Sequence, residues 1–132
     1  MRGSVFVVED DLDVAEFYAL LFQVSQIGLW GMAHTGREAV RRYLAARVLP
    51  DVVLLDHRLP DFTGLEVAKR IRERHPGAVI VLVTADDSAA EPARAMGIRR
   101  IKHKPVENAY LLRNLSGAIA EAQDLGVAAC HP

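Results

Sequence analysis

The chain has 132 residues, 51% of them hydrophobic, with 16 Lys and Arg against 17 Asp and Glu and a formal charge of −1. That size suits one compact domain with a two-faced core, and the near-neutral balance leaves no global field to draw the protein to nucleic acid or anionic lipid. No apolar run approaches the roughly 20 residues that span a bilayer and the start lacks the apolar stretch of a secretory signal, so no membrane contact and a cytoplasmic location are expected.

Short apolar runs alternate with amphipathic stretches from one end to the other, the pattern of repeated βα units. Val5 to Val8 reads as the first strand, ending in Glu9-Asp10-Asp11, and the helix after it places Val14, Phe17, Leu21 and Val24 on one face and closes near Gly28. Leu29 to Ala33 is a second strand, and Thr35 with Glu38 has capping-box spacing before a helix carrying Ala39, Val40, Tyr43 and Leu44. Val52 to Leu55 is a third strand ending on Asp56, and Thr63 with Glu66 repeats the box before Val67, Ala68 and Ile71. Pro76-Gly77 turns the chain into Val79 to Val83, a continuous apolar strand of the kind that helices cover on both faces, ending on Thr84.

Ser88 to Met96 is the weakest helix: Ser88 and Glu91 can box its start, but Pro92 removes a donor early in it. Ile98 to His103, broken by Arg99, Arg100 and Lys102, reads as an edge strand with one wet side. After Lys104-Pro105 a last helix carries Leu111, Leu112, Leu115 and Ile119. Five strands each followed by a helix predict an α/β doubly wound three-layer sandwich, with ligands beyond the C-terminal ends of the strands. Cys130 and His131 stand together without partner ligands, which reads as a frayed tail and not a metal site.

The polar residues at those strand ends are Glu9, Asp10, Asp56, Thr84 and Lys104. Each alone has a bland reading as a cap, a turn former or a solvated side chain. Together they do not, because three carboxylates within roughly 4 Å repel by about 4 kcal/mol per pair at an effective dielectric near 20, more than one lysine offsets. An oxygen-only site of this kind suits Mg²⁺ better than zinc, and it points to phosphate chemistry. In such chemistry Asp56 supplies the nucleophile, Lys104 and the metal neutralise charge, and Thr84 is a positioned donor.

The blocks Val7-Val8-Glu9-Asp10-Asp11, Leu54 to Gly64, Val83-Thr84-Ala85 and Lys104-Pro105, in this order and at these intervals, resemble the signature blocks of two-component response-regulator receiver domains. The resemblance runs from about Ser4 to about Gln123. It implies a five-stranded parallel sheet of order 2-1-3-4-5 with five helices, a receiver over residues 1–123, and a short tail over 124–132 with no output domain. It implies that Asp56 accepts a phosphoryl group from the phosphohistidine of a sensor histidine kinase or phosphotransfer protein. Asp10, Asp56 and the backbone carbonyl of Arg58 would bind Mg²⁺ directly, Glu9 would assist through water, and Thr84 and Lys104 would hold phosphoryl oxygens. Such a chain catalyses only its own phosphorylation and dephosphorylation, carries a cis peptide at Lys104-Pro105, and meets a downstream target, or a second copy of itself, through the face built by its fourth helix, fifth strand and fifth helix.

Three features depart from that pattern or modulate it. The aromatic residue that receivers usually carry three positions before the lysine is Ile101 here, so readout is expected to rest on the Thr84 loop and the weak helix after it. Arg58 and Asp86, two residues beyond Asp56 and Thr84, carry opposite charges and are expected to bridge over the site and slow hydrolysis. Lys102 and His103 beside Arg94, Arg99 and Arg100 read as a solvated edge, with an acidic partner as the functional alternative and nucleic acid disfavoured. His57 reads as a packed side chain. Two rival readings differ in class: a phosphatase with an Asp nucleophile, which would need an acid where Arg58 stands, and a pseudo-receiver that binds partners without phosphorylation; within the receiver reading the alternative is the receiver half of a longer multidomain regulator or hybrid kinase.

Overall fold

The computed structural model describes residues 3–130, and the surroundings of side chains for residues 3–125; His131, half of the pair read as a tail, lies outside the described residues, as does the side chain of Cys130. The strands are β1 (Ser4–Val8), β2 (Gly28–Ala33), β3 (Val52–Asp56), β4 (Val79–Thr84) and β5 (Arg100–His103). The helices are α1 (Leu12–Ser25), α2 (Gly36–Ala45), α3 (Gly64–Arg74), α4 (Ala90–Ala95) and α5 (Asn108–Cys130), with a 3-10 turn over Asp87–Ala89 before α4. The strands pair in parallel in the order β2-β1-β3-β4-β5, as the sequence implies.

Because neighbouring residues of a strand point to opposite faces, each central strand feeds two cores. Phe6, Val8, Val53, Leu55, Ile80 and Leu82 pack with α2, α3 and α4, while Val5, Val7, Val52, Leu54, Val81 and Val83 pack with α1 and α5. The strands β1, β3 and β4 are nearly sealed and β5 is half-wet, as an edge strand should be.

Several local expectations are corrected. Helix α1 buries Ala15, Tyr18 and Phe22, while Phe17 and Val24 face solvent. Leu12, Leu20 and Val24 make α1 apolar nearly all round, so periodicity alone does not select its inner face. The helix ends at Gln26, in left-handed conformation with φ 59°, and not at Gly28. Gly28 instead opens β2, its amide 2.8 Å from the Gly3 carbonyl, where a Cβ would sit 2.8 Å from the same oxygen. Ser88 does not cap the segment after β4. The Asp86 carboxylate does, accepting from the Ser88 amide at 2.9 Å and its hydroxyl at 2.6 Å. Pro92 is tolerated because the first-turn amides of α4 need no helical partner. Strand β5 starts at Arg100 and not at Ile98, since Gly97 (φ 84°) and Ile98 spend their amides closing α4 on Arg94 and Ala93. Helix α5 runs over Asn108–Cys130.

Of the three proposed capping boxes the two on threonines form, and one of these is complete. Thr63 and Glu66 exchange both bonds, whereas Glu38 reaches past Thr35 to the His34 amide at 2.9 Å. Helix α2 has a further clamp from outside itself: the Asp61 carboxylate accepts from the amides of Gly36 at 2.7 Å and Arg37 at 2.9 Å. Despite some desolvation, those bonds and the Phe62 amide hold the Asp61 carboxyl below its usual range. Asp61→Ala is expected to lower stability by about 1 kcal/mol, the ordinary worth of an N-terminal cap. Urea unfolding checks it, with an unchanged midpoint as the contrary result.

Candidate functional site

Parallel pairing brings the C-terminal ends of β1, β3, β4 and β5 to one edge of the sheet, and a cleft of about 320 Å³ opens there between the loops that follow them. Glu9, Asp10, Asp56, Arg58, Thr84 and Lys104 all line it, so every site residue expected from the sequence is brought together. Glu9, Asp56 and Thr84 are buried, Asp10 is exposed and Lys104 is half-buried. One carboxylate oxygen from each of Glu9, Asp10 and Asp56 lies within 4.8 Å of the others, an arrangement able to hold a metal ion. The Lys104 ammonium reaches across from β5 to Asp56 Oδ2 at 3.2 Å and Glu9 Oε1 at 3.5 Å.

The peptide Lys104-Pro105 is cis, and the Lys104 amide donates to the Thr84 carbonyl at 2.9 Å, which ties the start of the loop after β5 to the end of β4. Burial, and then the charge of Asp56, push the Glu9 carboxyl up to about 7, against the opposing pull of the Asp11 amide and Lys104. Burial works against the Lys104 ammonium, but Asp56 and Glu9 hold its pKa above the usual value. Two buried acids served by one cation are thus short of positive charge.

A pH dependence follows. A carboxyl whose folded pKa is raised from 4.5 to about 7 gives stability that is present below the lower value and lost as pH rises through the upper one. At about 1.4 kcal/mol per unit the loss reaches up to about 3 kcal/mol. With a chelator present, the unfolding midpoint is expected to fall between pH 5 and pH 8 (about the interval in which Glu9 ionises), and Glu9→Gln should flatten that slope. An equal slope in the variant would contradict the assignment.

Thr84 turns its hydroxyl along its own loop, accepting from the Asp86 amide at 2.8 Å. The expected Arg58–Asp86 bridge is not among the ion pairs of the described residues; the Asp86 carboxylate accepts from the Ser88 amide and hydroxyl. Arg58 is held instead by its backbone, pairing with Thr63 and donating to Asp56 Oδ1 at 3.4 Å. His57 is half-buried, consistent with a packed side chain. The basic residues near β5 are matched locally: Arg94 with Glu91, Arg99 and Arg100 with Glu121, His103 with Asp87, and Lys102 with the Tyr110 hydroxyl. Ile101 packs against the core and fills apolar space.

Two supporting residues escaped the sequence reading. His34 Nδ1 lies 2.9 Å from the Glu9 carbonyl, and the Glu9 amide donates to Ala33, so the end of β1 is held from the β2 side. Nothing in the spacing of a lone histidine signals this. Gly64 sits against the back of Asp56, where a Cβ would lie 2.6 Å from the Asp56 carbonyl oxygen. Its place just after an N-cap threonine was visible, but its close approach was not.

The chain matches the model of the response regulator receiver domain over residues 5–116. It is 38% identical over 86 residues, 64% of this chain and 39% of the relative, to the transcriptional regulatory protein YdfI of Bacillus subtilis. It is 35% identical over 121 residues, 90% of this chain and 26% of the relative, to the regulatory protein LuxO of Vibrio cholerae. The chain thus spans well under half the length of these curated relatives. In structure it superposes on the signal receiver domain of a LuxO repressor protein from Vibrio parahaemolyticus with a TM-score of 0.86 at 21% identity, covering 99% of this chain and 100% of the other.

Proposed function

The chain belongs to the response regulator receiver domain family, whose role is phosphorelay signal transduction, and from that premise we propose that Asp56 is the residue that takes the phosphoryl group. The observation that carries the proposal is the burial of Asp56 and Glu9 together, with the Lys104 ammonium 3.2 Å from Asp56 at the floor of an open cleft. A carboxylate oxygen of Asp56 attacks phosphorus as the bond to the donor's phosphohistidine nitrogen breaks, and the electron pair of that bond returns to the imidazole. A sensor histidine kinase or phosphotransfer protein is the donor in this reading. Lys104 stands where it can pair with a phosphoryl oxygen.

The donor set fits Mg²⁺: it is built of oxygen, and two buried carboxylates there share one lysine. Glu9, Asp10, Asp56 and the backbone carbonyl of Arg58 would hold the ion, which when bound supplies charge neutralisation on the phosphoryl oxygens. Readout then falls to Thr84. Its hydroxyl, drawn to the phosphoryl group, gives up the Asp86 amide, and Asp86 is the cap of the 3-10 turn leading into the six-residue α4. That motion alters the face of α4, β5 and α5 without an aromatic switch, and a downstream partner reads the face.

Incubation with acetyl phosphate tests the reading by intact mass. One phosphoryl group per chain is expected with Mg²⁺ and none with a chelator. An unmodified chain under both conditions would leave a phosphorylation-independent binding module in its place.

A further inference from the structure

At the opposite edge of the sheet, around the start of β4, a second cavity of about 250 Å³ shares no lining residue with the acidic cleft. Its charged lining consists of Arg72 from α3, Arg99 and Arg100 at the start of β5, and Glu121 from α5. Glu121 is divided between Arg99 at 3.2 Å and Arg100 at 3.3 Å, so three guanidinium groups meet one carboxylate and the cavity keeps an excess of two positive charges. A neighbouring hollow on Arg99 and Arg100 adds Lys102.

The arginines are also short of acceptors. Arg72 gives two bonds to backbone carbonyls, those of Met96 at 3.1 Å and Ala78 at 3.0 Å, but its Nε is buried without a partner. The Nε of Arg100 is buried and unpartnered as well. Buried donors in native structures are nearly always satisfied by protein, water or a ligand. Burial lowers the pKa of Arg72; Glu121 opposes that fall and Arg99 adds to it. Two glycines leave the guanidinium groups room: a Cβ on Gly97 would lie 3.1 Å from Arg72 Nη1, and one on Gly117 would lie 3.4 Å from Arg100 Nη1.

We propose that this cavity binds a doubly charged oxyanion, a phosphate group free or on a small ester, held by Arg72, Arg99 and Arg100. Guanidinium groups present planar, charge-assisted donors that match phosphate oxygens. At about 30 Å³ per water the cavity has room for such a group and its remaining hydration shell. Occupancy would tie together the end of α3, the loop after α4 and the middle of α5.

The test follows the arginine Nε–Hε resonances of the full chain by NMR at constant ionic strength while inorganic phosphate is added, with AMP as a second probe. Saturable shifts of the Arg72 and Arg100 signals with a common midpoint are expected. Arg99→Gln, a change at an exposed side chain, should weaken binding about tenfold, and Glu121→Gln should tighten it. A lower midpoint for AMP assigns a phosphate ester; an equal or higher one assigns free phosphate. Shifts that stay linear for both probes, or midpoints unmoved by both substitutions, overturn the proposal.

Discussion

Asp56→Asn is expected to abolish the phosphoryl adduct while making the metal-free protein more stable. The amide keeps the size of the side chain and removes the nucleophile, so adduct formation from acetyl phosphate should drop to background. Stability moves the other way because Asp56 is one of two buried acids sharing a single lysine. At the 4.8 Å limit of their spread, two carboxylates repel by about 3 kcal/mol at an effective dielectric of about 20. The attraction between Asp56 and Lys104 is lost as well, but Lys104 retains Glu9 at 3.5 Å, which leaves one cation facing one buried anion. At 3.2 Å that lost attraction is about 5 kcal/mol on the same scale, but the change also relieves the repulsion from Asp10 and the cost of burying a charge, so a net gain at pH 8 in chelator is the expected balance. An adduct on the variant would mean that another group is the acceptor, and a clear loss of stability would mean that the lysine pair outweighs the repulsion.

Gly64→Ala should be the most damaging small substitution in the site. Alanine normally gains over glycine in a helix by roughly 0.5–1 kcal/mol. At Gly64, however, the added Cβ would stand 2.6 Å from the Asp56 carbonyl oxygen and 2.7 Å from His57 Cα. Both obstacles are backbone at the end of β3, and the Gly64 amide is itself bonded to the His57 carbonyl at 2.6 Å. Relief requires α3 to draw back from the strand that carries Asp56. A loss of about 3 kcal/mol is expected, together with slower phosphorylation. Gly77→Ala serves as the control, since its Cβ meets nothing closer than His75 Nε2 at 3.7 Å. Denaturant unfolding of the two variants checks this, and equal midpoints would contradict it.

Much of this was legible because the chemistry sits at strand ends. A strand such as Val52–Asp56 announces itself by continuous burial-ready residues, and its final carboxylate then has only one edge of the sheet to occupy. Thr63 and Glu66 marked the start of α3 for the same reason, as a local bond pattern encoded within four residues. What could not be read depends on choices made between elements. Helix α1 has apolar residues on nearly every side, and only packing against α5 and the sheet decides that Tyr18 and Phe22 go inward. The charges of Arg58 and Asp86 suggested a bridge, but the turn after β4 places the Ser88 hydroxyl 2.6 Å from the Asp86 carboxylate, a choice of partner that charge alone does not encode. Asp61 clamping α2 from 24 residues away, and His34 against the Glu9 carbonyl, are long-range bonds with no local signal.

Whether Asp56 carries the phosphoryl group is decided by trapping the acyl phosphate. Wild-type protein is phosphorylated with acetyl phosphate and Mg²⁺, reduced with sodium borohydride, digested and sequenced by mass spectrometry. Conversion of Asp56 alone to homoserine, within the peptide that spans β3, is the expected result. Conversion at Asp10, Asp11 or Asp61 with Asp56 intact, or a phosphoryl group found on histidine, would contradict it.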